Sequence, residues 1–446
     1  MNSRIFDPLK HKSPANLSPC DSYWASTVSL GEANKSLRGS QTADVAIIGG
    51  GYTGLLTAHY LAERYNVDVC VLEANQVGFG ASARNAGFVL KGAGRLGYSQ
   101  MAKRWDLNTA KGIYNEFSQA VERVDGLIQD YDIKCDPQPK GYIKVAHNPK
   151  ALTQLRDTAS FISTHLGEDA QFIDASTLKN EYMDHHQAYG ALRLEDGFGV
   201  NPLKLLLGYK SLLNKQSVTL CEHSCVEGWI EENGKHRLIT SEGELRVNKV
   251  ITAGNAYTPN EFNPRIDNRF LPILSNVIVT EPLTEDELVT CGLKTHQVTM
   301  DTRILKYYYR LLPDNRLLFG GRGAIWGRDA YDAVFQRRLK IAMTQCFPSL
   351  ANKSIAYNWT GWIAATLDDM PHVFCHNSVG YSLGYCGSGV SFSTQAAFRL
   401  AQQITGHKVP SLPLYDNELP KFPLPKFRRV GQWGYYHYGW LRDRFL

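Results

Sequence analysis

Two groups of residues in this chain have types and spacing suited to chemistry. In "DVAIIGGGYTGL" the glycines Gly49, Gly51 and Gly54 follow an apolar run at 45–48, and Glu73 closes a second apolar run further on. Strand, glycine turn, helix, strand and acid in that order bring a diphosphate to a helix N-terminus and a carboxylate to ribose hydroxyls. An adenine dinucleotide is expected here, and the acid disfavours a 2′-phosphate. The second group is "RILKYYYRLLPDNRLLFGGR", where strand alternation sets Tyr307 and Tyr309 on one face and Tyr308 and Arg310 on the other. His185 and His186 in "DHHQAYG" read as a polar loop, and Asp368 and Asp369 as a brace for the turn before Pro371. The nine cysteines show no metal-ligand spacing, so no metal site is expected.

The elements that position these groups are legible in part. Leu55, Leu56, Ala58, Leu61 and Ala62 recur at helical spacing behind the glycine turn, and Val67, Val69, Val71 and Leu72 form the next strand. "GFGASARNAGFV" follows, its small residues leaving room for something large against the backbone, with Ser82 and Asn85 as hydrogen-bond donors. Near the end, "GYSLGYCGSGVSFSTQAAFRLAQQITG" offers a second glycine turn opening a helix. Two such turns so far apart predict one nucleotide domain assembled from separate segments. The strand-rich stretch 217–254 reads as a meander followed by a returning strand.

The bulk composition narrows the class. A chain of 446 residues with 43% hydrophobic content can bury a core of two domains. Its 48 basic and 43 acidic side chains, net +5, are spread along the chain and indicate neither DNA binding nor a polybasic membrane patch. No apolar run reaches the roughly 18 residues of a membrane span, so no integral membrane segment is expected. An odd number of cysteines fits reduced thiols and a cytoplasmic setting. Residues 1–39 read as an arm pinned by Tyr23 and Trp24, and 416–446 as a helical tail.

The chain resembles the FAD-dependent amine and amino-acid oxidoreductases that include D-amino-acid oxidase, glycine oxidase and sarcosine oxidase, over roughly residues 40–410. The motifs carrying the likeness are "DVAIIGGGYTGL…VLEA", "GASARNAGF", "VTLCEHSCV", "VITAGNAYTP", "WTGWIAATLDDMPHV" and "GYCGSGVSFS", and within the family the pattern is most like the gamma-glutamylputrescine oxidoreductases. The resemblance implies an α/β (α+β) fold: a Rossmann-like FAD domain from 40–100, 193–258 and 355–415, and a substrate domain with an antiparallel sheet from 101–192 and 259–354. It implies Gly49, Gly51 and Gly54 at the FAD diphosphate, Glu73 at the ribose, and Val226 at adenine. Ala81, Ser82, Ala86, Gly87 and Phe88 would line the path to the flavin, and Gly387, Ser388, Gly389 and Val390 its ribityl chain and polar ring edge. Ile363 stands where relatives acting on alpha-amino acids carry a carboxylate-clamping Arg. The segment "NWTGWIAATLDD" lacks the cysteine that tethers FAD in sarcosine-oxidase relatives, so FAD is expected to be noncovalent.

The implied chemistry is oxidation of an amine C–N bond by hydride transfer to flavin N5, followed by hydrolysis of the imine, with O2 or another acceptor reoxidising the flavin. Tyr307 and Tyr309 are expected as an aromatic wall, one of Arg310, Arg316 and Arg322, with Arg310 first among them, as a partner for a remote substrate carboxylate, and Lys91 as a cation beside the ring. Two rival readings use the same fold: a flavin-dependent tRNA-modifying enzyme, and a noncatalytic flavin-binding subunit of a larger dehydrogenase. An NAD-dependent dehydrogenase leaves the "GASARNAG" and "GYCGSGV" loops without a ligand.

Overall fold

The computed structural model describes residues 5–92, 95–214 and 216–445. Two eight-stranded sheets dominate. In the first, Gly39–Ile48 is flanked by parallel strands Val69–Leu72 and Gly243–Thr252. Its inward residues alternate between two cores: Val45 and Ile47 pack with the helices Tyr52–Tyr65 and Gly389–Ile404, whereas Ala46 packs on the opposite side with Leu72 and Val250. A strand buried on both faces has no polar side to show, which is why 45–48 is continuously apolar. The meander is present as the hairpin Gly228–Glu232 and Lys235–Ile239, which feeds the returning strand Gly243–Thr252.

The second sheet runs, in spatial order, Ile355–Ala365, Leu271–Thr280, Leu317–Arg322, Tyr308–Leu311, Val298–Asp301, Tyr142–Val145, Gly190–Leu194 and Ala170–Asp174. It is antiparallel except where Val298–Asp301 meets Tyr142–Val145. The expected segment boundaries shift in three places. Ile355–Ala365 belongs to this second sheet, registered on Leu271–Thr280 from Leu271↔Ala365 to Thr280↔Ile355. Gly190–Leu194 also lies in it, across the expected boundary at 193. The helix Leu107–Asp130 packs instead on Gly389–Ile404 on the first sheet's side, with Phe117 stacked on Phe392 at 4.5 Å and buried Glu116 paired with Arg399 at 2.7 Å.

The N-terminal arm is pinned as its aromatics suggest: Trp24 is buried and its indole N–H donates to the Asn85 carbonyl at 2.9 Å, in the glycine-rich loop after the second strand. The chain closes with the helix Arg428–Phe445. Among the described residues, no helix is long and apolar enough to cross a membrane.

Candidate functional site: a glycine-floored cleft opening into a basic chamber

A cleft of about 1430 Å³, counting its open mouth, lies at the carboxyl ends of the first sheet's strands. Backbone sets its shape. Gly49 holds φ +114°, and a Cβ on Gly54 would stand 1.9 Å from the Gly49 carbonyl oxygen, so the turn closes only on glycine. The Gly50 N–H donates to Glu73 Oε2 at 2.7 Å and the Asn75 N–H to Oε1 at 3.0 Å, which fixes the carboxylate at the cleft wall. Burial pushes the Glu73 carboxyl up, and these two amides oppose that shift.

The helices Tyr52–Tyr65 and Gly389–Ile404 both begin on this cleft, and neither carries a capping side-chain bond at its N-cap residue. Each therefore presents the positive end of its dipole. A long polar ligand with a diphosphate and a second electron-rich edge fits this pair. Lys12, Pro14 and Val226 also line the cleft.

Ala81, Asn85, Trp362, Ile363, Gly387 and Val390 line both the cleft and a second chamber of about 1700 Å³, so the two join. The second sheet roofs the chamber with alternate residues: Tyr142 and Lys144, Met300, Tyr308, Arg322, and Ser275 with Val277. The intervening Ile143, Val145, Ile278 and Phe319 face the other way, into the core under the helix Ala333–Cys346. Tyr308 sits edge-on to Phe88 at 5.9 Å, and its hydroxyl meets Ser275 Oγ at 2.7 Å. Its ring crosses Gly320, where a Cβ would come within 2.1 Å of it.

The chamber is basic: Arg95, Lys144, Lys306 and Arg322 all line it. Lys306 is pushed down to about 7, first by burial and then by Lys144, Arg322 and Arg95. Burial also lowers Lys144. The nearby acid, Asp369, is raised by burial against the opposing pull of Arg95 and Lys306.

Residues 44–403 match the family model described as FAD dependent oxidoreductase, of the DAO type. The chain belongs to that family. This FAD-dependent oxidoreductase is 32% identical over 410 residues to the gamma-glutamylputrescine oxidoreductase of Escherichia coli K12, covering 92% of this chain and 94% of the relative. It is also 32% identical over 374 residues to the probable oxidoreductase OrdL of Haemophilus influenzae, covering 82% of this chain and 83% of the relative. In fold it is similar to the glycine oxidase of Geobacillus kaustophilus, with a TM-score of 0.70 at 18% identity, covering 86% of this chain and all of the other. The L-proline dehydrogenase of P. horikoshii aligns with a TM-score of 0.70 at 19% identity over 84% of this chain and 96% of the other. The family is FAD dependent, and its homologues include amine and amino-acid oxidoreductases.

Within the oxidoreductase, the residues singled out from sequence fall into three sets. Gly49, Gly51, Glu73, Val226 and Gly389 line the cleft; Ala86, Phe88, Lys91 and Ser388 the chamber; Ala81, Ile363, Gly387 and Val390 both. Ser82 lines the cleft and accepts the Tyr52 N–H at 3.0 Å. Gly54 and Gly87 back the walls: a Cβ on Gly87, at φ +71°, would lie 2.0 Å from the Val200 carbonyl oxygen.

The aromatic wall needs correction. Tyr307 and Tyr309 line neither cavity; Tyr309 stacks on Phe319 at 5.4 Å and Tyr307 lies tilted against the same ring at 5.3 Å on the far side of the sheet, and Tyr308 takes the chamber face instead. Arg310 is also misplaced as a substrate contact. Fully buried, it donates to the carbonyls of Val200 at 2.6 Å and Ala86 at 3.2 Å and to Gln138, which ties the loop 78–89 to its neighbours. Burial pushes it down to about 9. Lys91 reaches the chamber, but its charge is held by Asp196, by Glu168 at 3.6 Å and by the Tyr114 hydroxyl at 3.2 Å. His185 is stacked on Tyr309 and pushed down to about 3 by burial, so it is a core residue.

The sequence reading missed Arg95, Lys144, Lys306 and Trp362, and it left Arg322 among several arginines. A signal existed for Lys144: in "YIKV" the lysine shares its face with Tyr142 while Ile143 and Val145 take the core. Lys306 and Arg95 lie outside strands and carried no such phase.

Proposed function

We propose that this FAD-dependent oxidoreductase oxidises the C–N bond of an amine bearing a remote carboxylate, with gamma-glutamylputrescine as the first substrate to test. The observation that carries this reading is the chamber continuous with the nucleotide cleft and lined by Arg95, Lys144, Lys306 and Arg322. The name of the Escherichia coli relative supports it.

In this reading Gly49, Gly51 and Gly54 let the FAD diphosphate approach the helix Tyr52–Tyr65, Glu73 holds the ribose hydroxyls and Val226 the adenine edge. Ser82, Ala81, Ala86, Gly87 and Phe88 bound the path to the ring, and residues 387–390 face its polar edge at the second helix end. FAD, held noncovalently, supplies a two-electron acceptor for the substrate carbon's hydride. Arg322 and Lys306 hold the substrate carboxylate, with Lys144 and Arg95 adding positive potential. Tyr142, Tyr308, Phe88 and Trp362 exclude water and surround the amine with apolar faces, which favours its neutral form. Ile363 leaves the position near the reacting carbon uncharged, so a substrate clamped there by an alpha-carboxylate is not selected. Water then hydrolyses the imine to a carbonyl product and a free amine. The nine free thiols fit a cytoplasmic enzyme.

The test is flavin bleaching in the absence of oxygen. Gamma-glutamylputrescine should bleach the enzyme at far lower concentration than putrescine, which lacks the carboxylate. Equal response to the two compounds would refute the assignment of the chamber.

A further inference from the structure

Among the described residues, exposed large apolar side chains are sparse along the chain as far as Leu367 and concentrated in its last helix and the turn before it. Of the fifteen large apolar side chains exposed among the described residues, eight fall between Leu424 and Leu441. Phe427, Val430, Trp433, Tyr438, Trp440 and Leu441 are each 50–62% exposed. Val430, Trp433, His437 and Leu441 are spaced three and four apart on the helix Arg428–Phe445 and make one outward stripe.

The opposite side of this helix is committed to the protein. Arg428 donates to the Phe270 carbonyl at 3.0 Å, Arg429 pairs with buried Asp7, and Asp443 accepts the N–H groups of Ile304 and Leu305 at 2.8 and 2.9 Å. Gly439 lets the helix lie against Ile304 and Leu305, where a Cβ would come within 3.0 Å. The helix is thus anchored with its apolar stripe turned outward. A contiguous exposed patch of this kind marks an interaction surface.

Its charge indicates the partner. From Leu419 onward the chain has six Lys and Arg residues and one acid, Asp443. Arg428, Arg429 and Asp443 are turned inward, while Lys421, Lys426, Arg442 and Arg444 are exposed. A second copy docking helix against helix about a two-fold axis would set bases against bases, the helix's single acid, Asp443, being turned inward. An anionic lipid surface supplies the missing negative charge, and Trp and Tyr, apolar in body and polar at the tip, sit at headgroup depth. We propose that the helix Arg428–Phe445 lies on an anionic lipid surface and docks the enzyme there peripherally. Tyr435 of the same helix stacks on Arg95, 4.7 Å away, so the docked face borders the chamber.

The experiment is flotation of the FAD-loaded full chain with vesicles of phosphatidylglycerol and phosphatidylcholine, against phosphatidylcholine alone. Binding is expected to the anionic vesicles only, to weaken as salt rises, and to shift tryptophan emission to the blue. Trp433→Gln with Leu441→Gln should lower the bound fraction about tenfold or more with flavin content and turnover unchanged, since both positions are exposed. Lys426→Gln with Arg442→Gln should weaken binding to anionic vesicles. The proposal is overturned by absence of flotation at low salt, by flotation that the Trp433 variant leaves intact, or by light scattering showing a dimer that the same variant dissociates. Salt-sensitive binding of an acidic protein to the stripe, with no binding to anionic vesicles, would also overturn it. Brominated-lipid quenching of the unmodified protein gives an independent reading if a variant misfolds.

Discussion

The nucleotide cleft and the chamber beside it are built from different materials. In the cleft, backbone does the shaping: amides at two helix ends, a carboxylate braced by two N–H groups, and glycines where a Cβ would collide with a carbonyl oxygen. In the chamber, side chains from several strands of one sheet converge, and Gly320 lets the Tyr308 ring cross it. A backbone-made site is written in a short contiguous stretch of sequence. A side-chain-made site depends on the phase of each strand and on which strands become neighbours.

The most severe way to separate the two is Gly54→Val. Its Cβ would fall on the Gly49 carbonyl, and the strain of about 1–3 kcal/mol expected for a forced backbone, with the displaced turn added, corresponds to a tenfold to hundredfold or greater loss of FAD affinity. Flavin absorbance of the purified variant measures this. Full flavin occupancy would show that the turn is not the diphosphate cradle. Next in size is Arg322→Met, which leaves the cleft untouched. Losing a charge-assisted hydrogen bond of about 1.5–3 kcal/mol should raise KM for a carboxylate-bearing amine roughly tenfold to a hundredfold, with kcat changed far less. An unchanged KM would remove Arg322 from substrate binding.

The same contrast explains what was legible in the sequence. The strand, turn and helix of 45–65 could be read because an apolar run, three glycines and a helical repeat lie side by side. Residues 387–390 were legible for the same reason. The chamber was not, because the strand Tyr308–Leu311 is flanked by tyrosines on both phases, and only pairing with Leu317–Arg322 decides which phase meets the cavity. The choice of Tyr307 and Tyr309 took the wrong phase. Arg310 shares the cavity phase but lies beyond the chamber, where Ala86, Val200 and Gln138 absorb its donors. Long-range contacts also moved the segment boundaries: Leu107–Asp130 joined the nucleotide side through Phe117 and Glu116, contacts that no local pattern announces.

A smaller effect probes the chamber's charge. Lys306 is pushed from 10.5 down to about 7, so in the folded protein its ammonium form is disfavoured. The sign follows: this lysine takes stability away below about 7 in full, and the penalty is relieved as pH rises from 7 towards 10.5. A carboxylate in the chamber favours the ammonium form, so binding of glutarate, read by flavin spectral shift, should be strongest below pH 7. Above it, affinity should fall by up to about tenfold per pH unit, and Lys306→Met should flatten that profile. A wild-type profile already flat across this range would separate Lys306 from the carboxylate.

The smallest effect tests strand phase directly. Tyr309 is buried in the aromatic cluster with Phe319 and Phe347, and its hydroxyl meets no partner among the described residues. Tyr309→Phe keeps the ring and removes a buried polar group, so stability should hold or rise by about 1 kcal/mol and KM should stay the same. Tyr308→Phe removes the hydroxyl that bonds Ser275 in the chamber roof, and should cost about 1 kcal/mol of stability and shift KM a few-fold. Thermal unfolding and steady-state kinetics on the pair distinguish the faces: ring, backbone and neighbouring position are nearly the same, and only the direction in which the hydroxyl points differs. If the Tyr309 variant altered turnover and the Tyr308 variant did not, the cavity would lie on the other side of the sheet.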